Sequence, residues 1–136
     1  MADGPAASGA DYILKAMIAV ATADRQLETR EADLIQQIYQ DRLGQPVSAD
    51  MIAEATQGNT RGDLLAQLAA AANTLDEETK EEIIKASYLV LLADDRIAGE
   101  ERKKLQDIAA ALKIPEIHFG AILEDLAIWL AGNKAR

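Results

Sequence analysis

The sequence predicts an all-α protein, a single-domain helical bundle of about seven helices. Three observations carry that expectation. The chain is 49 % apolar but only 4 % aromatic, with alanine and leucine dominant, and both lose little side-chain freedom in a helix. Only three prolines interrupt its 136 residues. No stretch alternates apolar and polar side chains long enough to make a half-buried strand. The length suits one domain with its own core.

The elements follow in order. Residues 1–10, "MADGPAASGA", read as a flexible tail, residues 11–131 as the helical domain and 132–136 as a short C-terminal tail. Asp11 is placed to cap the apolar run "YILKAMIAVATA", Tyr12 to Ala23, whose only charge is Lys15. A helix apolar on nearly every side is a core helix. "DRQLETRE" breaks the run, and a second helix begins near Glu28 or Thr29. It carries Leu34, Ile35, Ile38 and Leu43 as one stripe, with Gly44 as the residue that ends it. Ser48 can cap a short amphipathic helix that stops at Gly58, and Asn59 to Gly62 read as a turn. Leu64, Leu65, Leu68, Ala69 and Ala72 form the next stripe, ending near Asn73.

Thr74 or Asp76 can cap the following helix, whose first turn is crowded with acids that complement the helix dipole. That helix becomes apolar from Ile83 to Ala93, with Lys85 its only charge there. After "DDRIAGEE", Leu105, Ile108, Ala109 and Leu112 share a face. Pro115 suits the first turn of a last helix. Phe119, Ile122, Leu123, Leu126 and Leu130 make its stripe, with Trp129 beside them to fasten the C-terminus. His118, near the start of this helix, reads as a surface or boundary residue.

Composition narrows the chemistry. A net charge of -9 is unfavourable for polyanions, since phosphate binding needs clustered Lys and Arg, so nucleic acid is excluded as a main partner. An acidic surface suits cations or a basic protein partner. With no cysteine there are no disulfides, thiolate metal sites or cysteine nucleophiles, and the single His118 makes no multi-histidine site. The longest apolar runs fall short of the ~20 residues that span a bilayer, so no membrane insertion is expected. No signal peptide is visible, which makes the cytoplasm the expected location. Phosphate-binding loops, dinucleotide fingerprints and HExxH are absent. Lys15 and Lys85, matched within apolar helices, are expected to snorkel or meet a carboxylate.

The chain repeats itself at an offset of seventy. Residues 13–38 overlie residues 83–108 without a gap. Identities fall at Ile13/Ile83, Lys15/Lys85, Ala16/Ala86, Val20/Val90, Ala23/Ala93, Asp24/Asp94, Glu31/Glu101, Gln36/Gln106 and Ile38/Ile108, nine of twenty-six positions. Composition alone would give roughly two or three, so the bundle is expected to have an internal pseudo-two-fold repeat. Each copy is a buried helix, an acidic turn and an amphipathic helix. Neither hairpin can bury its central helix alone, which makes the two central helices expected neighbours.

The shared turn reads Ala-Asp-x-x-(Leu/Ile)-x-x-x-Glu. Two functions fit it. Asp24 and Asp94 can fold onto nearby backbone N–H groups, while Leu27 and Ile97 staple the turn and Glu31 and Glu101 cap the next helix. Alternatively the acids hold a divalent cation. The spacing of Asp24, Leu27 and Glu31, and of Asp94, Ile97 and Glu101, matches the second half of an EF-hand loop. The first half fails, with Val20 and Thr22, or Val90 and Leu92, where ligands belong. A site of this kind is then completed by carbonyls or by Glu28, Asp95 or Glu100.

A helix ending in Ala-Asp, an apolar residue three on and Glu seven on, in both halves of an all-helical chain, resembles the TerB-like family, the tellurite resistance protein TerB and its relatives. The phrases "IAVATADRQLETREADLIQQI" and "YLVLLADDRIAGEERKKLQDIAAAL" carry the resemblance, which extends over residues 11–131. The family phrase has glycine after Ala-Asp; Arg25 and Asp95 stand there in this chain. The resemblance implies an all-helical fold, a bacterial role in resistance to tellurite and other stresses, and metal binding by Asp24, Glu31, Asp94 and Glu101.

The expected function is therefore a non-catalytic stress-response protein acting as a binding module with duplicated acidic turns. The alternative is a protein–protein interaction scaffold whose acids are only caps. A carboxylate enzyme ranks third, because a dyad needs both turns to converge on one substrate. One or more protein partners are expected, with the chain itself a monomer or homodimer.

Overall fold

The computed structural model describes residues 9–23, 27–61, 64–93 and 99–134. They form seven helices and, among the described residues, no strand. These are α1 (Gly9–Ala21), α2 (Thr29–Leu43), α3 (Ala49–Arg61), α4 (Leu64–Ala71), α5 (Glu77–Ala93), α6 (Gly99–Ala111) and α7 (Glu116–Lys134). The all-α bundle expected from the sequence is the fold observed.

Helix α1 lies at the centre. Ile13, Leu14, Ala16, Met17, Ile18, Val20 and Ala21 are all buried. Its main partner is α5, which buries Ile83, Ile84, Ala86, Val90 and Leu91. Helices α2, α3, α4 and α6 also pack on α1. Fully burying each such Leu, Ile or Val contributes about 1.5–3 kcal/mol. Ser87 is the polar residue in this contact surface, and its hydroxyl donates to the Ile83 carbonyl at 2.7 Å, so its burial leaves no open hydrogen bond on the donor side. Gly9 opens α1 against α5. A Cβ at that position would come within 2.8 Å of the Thr79 methyl group, so any larger residue there would make the Thr79 side chain shift.

The caps follow local chemistry. Gly44 takes the left-handed conformation (φ 70°) and its N–H bonds the Gln40 carbonyl, closing α2. The Ser48 hydroxyl accepts the Met51 N–H at 3.1 Å and starts α3. The Asp76 carboxylate accepts the Thr79 N–H at 2.8 Å and starts α5. The hydrogen bonds from Thr79 hold the Asp76 carboxyl below the usual carboxylate range.

Four local expectations shift. Helix α1 starts at Gly9, so Asp11 sits in its first turn and is not its cap. Helix α3 runs through Gly58 to Arg61; glycine inside a helix costs about 1 kcal/mol, which is too little to stop one. Ala69 is exposed, and Leu64, Leu68 and Ala72 supply the buried stripe there. Pro115 lies just outside α7, with its carbonyl accepting the Phe119 N–H at 2.9 Å.

Helix α7 packs on α5 and buries Ile122 and Leu126. One polar cluster fastens it. The Arg42 guanidinium of α2 grips Glu82 of α5 with two bonds, Nε to Oε2 at 2.7 Å and Nη2 to Oε1 at 2.8 Å. The same guanidinium stands 5.7 Å from the centre of the Trp129 ring of α7. The Glu82 hydrogen bond raises the Arg42 pKa further, against the opposing effect of burial. Lysine offers neither the forked geometry nor the flat stacking surface. Arg42→Lys is therefore expected to lose about 1–2 kcal/mol of stability. Most of that loss should vanish in a Glu82→Gln background, as read by urea unfolding followed through the single tryptophan.

Candidate functional site

The first acidic turn begins where α1 ends. The Thr22 N–H and hydroxyl both donate to the Ile18 carbonyl, at 2.9 and 2.7 Å, and Ala23 donates to Val20 at 3.3 Å. Leu27 then packs against the core, the stapling role expected of it. Glu28 is extended (φ -89°, ψ 159°) and occupies the cap position of α2. Three residues on, the Glu31 carboxylate accepts the Glu28 N–H at 3.1 Å, and the two form a capping box. Glu31 is buried although it is a carboxylate.

Glu101 holds a comparable place in its own helix. Helix α6 begins at Gly99, so Glu101 is the third residue of its helix, as Glu31 is of α2. Glu101 is only 2 % exposed. The seventy-residue offset pairs buried with buried at Ile13/Ile83, Ala16/Ala86, Val20/Val90, Ile35/Leu105 and Ile38/Ile108 as well. Glu28 and Glu100 are exposed. Asp24, Asp94 and Asp95, together with Arg25 and Ile97, lie outside the described residues.

Among the described residues, no group of three or more His, Cys, Asp or Glu could hold a metal ion. The donors available are carboxylates and backbone carbonyls. Such oxygens match Ca²⁺, Mg²⁺ or Mn²⁺ and not a thiophilic metal.

Other ionisable residues lie elsewhere. Lys15 and Lys85 are half-buried. Lys85 borders a groove of about 540 Å³ between α1, α2 and α5, with Arg42, Glu78, Glu81 and Glu82 on its walls. His118 sits at the boundary foreseen for it, its Nε2 3.3 Å from Glu81 Oε2. Lys80, which sequence reasoning did not single out, is nearly buried on α5, with its ammonium 4.0 Å from Glu77. The Arg42–Glu82–Trp129 cluster was also missed. No local spacing announces a pair separated by forty residues. No described helix is long and apolar enough to cross a membrane.

The fold is an all-α bundle in which α2 and α6 each bury a glutamate at their third position. The chain belongs to the TerB family: the family model described as tellurite resistance protein TerB matches residues 13–124. No curated protein and no solved structure matches the chain.

Glu31 caps through an acceptor oxygen, which an amide also supplies. Glu31→Ala is expected to cost about 0.5–2 kcal/mol in urea denaturation, and Glu31→Gln a small fraction of that. Equal losses in the two variants would show that the negative charge, not the acceptor, stabilises the turn.

Proposed function

We propose that this TerB-family chain is a non-catalytic bacterial stress-response protein, acting in the cytoplasm as a binding module whose duplicated acidic turns hold a divalent cation. The observation that carries this reading is the pair Glu31 and Glu101, two carboxylates buried at equivalent helix positions. Carboxylate oxygens are the donors that hard divalent cations take. Asp24 and Asp94, seven residues before each glutamate, would supply the second carboxylate of each turn. The chain's net charge of -9 also favours cations near its surface.

A second reading has its own support. The Glu28–Glu31 capping box makes Glu31 structural without any ion. On that reading the protein is an interaction scaffold, and the acids shape the turns.

Calorimetric titration of chelator-treated protein with Ca²⁺, Mg²⁺, Mn²⁺ and Zn²⁺ separates the two. The cation reading expects micromolar binding of a hard cation, lost in the Asp24→Asn/Asp94→Asn variant while its helical circular dichroism is kept. Absence of binding heat and of any thermal shift would overturn it and leave the acids as caps.

A further inference from the structure

Helix α7 carries a second, exposed apolar face that no described residue covers. Its inner face is accounted for by Ile122 and Leu126, which are buried, and by Phe119 and Leu123, which pack against the core. The outer face is different. Ile117 is 90 % exposed and Ile128 63 % exposed, and Ala121, Glu124 and Ala131 are exposed with them. These five residues step along the helix by four, three, four and three. At 100° per residue they fall in a sector about 80° wide, running about 21 Å along the axis. That spacing is the seam of a two-stranded coiled coil, in which alternate four- and three-residue steps keep one stripe against a partner helix. Glycine and alanine flank one side of the seam, at Gly120 and Ala127, and space beyond Gly120 is open. Asp125 flanks the other side.

Glu124 stands in the middle layer of that seam, and the sector has no Lys or Arg. A second copy centred on this layer, parallel or antiparallel, would set Glu124 against Glu124. Like charges in a partly desolvated layer disfavour that pairing, and the two chains, each at -9, repel one another as well. A partner helix with a basic residue in the middle layer gains where the second copy loses. A single polar position in an apolar seam is a known means of setting register and partner.

We propose that the outer face of α7 docks an amphipathic helix of a partner protein, one with an apolar stripe of four-three spacing and a Lys or Arg in its central layer facing Glu124 and Asp125. The inference stands on a different helix from the acidic turns, so either can fail without the other.

The test uses the full chain and two designed helical peptides of about 21 residues, three heptads long. Both have leucine or isoleucine at the seam positions. One carries Arg in the central layer and the other Glu. The Arg peptide is expected to bind, with a change in anisotropy, at least roughly tenfold tighter than the Glu peptide. Ile117→Ser/Ile128→Ser should abolish binding with unchanged circular dichroism, because both side chains are already exposed. Glu124→Lys should reverse the preference, so that the Glu peptide binds better. Equal binding of the two peptides, or no binding of either, overturns the proposal. So does a wild-type homodimer in sedimentation that Ile128→Ser dissociates, since a second copy would then be the occupant.

Discussion

The packing of α1 on α5 is the constraint from which the rest of the structure follows. Helix α1, and α5 from Ile83 onward, are too apolar to face water on more than a narrow strip. Ala16 and Ala86, both fully buried, keep side-chain bulk low in the two helices, and Met17, Ile18, Ile83 and Ile84 fill the surrounding space. Once the pair forms, the remaining apolar stripes have one place to go. Helices α2, α3, α4 and α6 lay Ile35, Ile52, Leu68 and Leu105 against the centre.

The turns illustrate how one residue can serve two purposes. A glutamate three residues into a helix satisfies backbone N–H groups that the helix itself leaves open. Held there and buried, it also presents charge at a fixed point. Glu31 does the first through Glu28. Glu101, the third residue of α6, is buried as well. Whether a cation uses that charge is a matter for the aspartates that precede each glutamate.

Much of this was legible in the sequence because it is local. Gly44, Ser48 and Asp76 end or begin helices through groups within four residues of themselves, and the stripe of Leu105, Ile108, Ala109 and Leu112 needs only helical spacing. The third-residue position of Glu31 was legible for the same reason. What escaped depends on distance or on small energies. The end of α3 turned on Gly58 and Asn59, whose reluctance to be helical is weaker than the helix's tendency to continue. Arg42, Glu82 and Trp129 meet only after three helices have packed. The outer stripe of α7 was hidden by the stronger inner one, because a helix apolar on both sides looks like a core helix until its exposure is known.

Native-state hydrogen exchange tests the central place of the α1–α5 pair most directly. If the bundle depends on that contact, amides in the middle of α1, around Met17 and Ile18, and of α5, around Ser87 and Leu91, should exchange only through global unfolding. Those of α7 beyond Leu126 should exchange through smaller openings at lower free energy. Protection along α7 equal to that of α1, or loss of α1 protection in a local opening that leaves the other helices intact, would contradict this account.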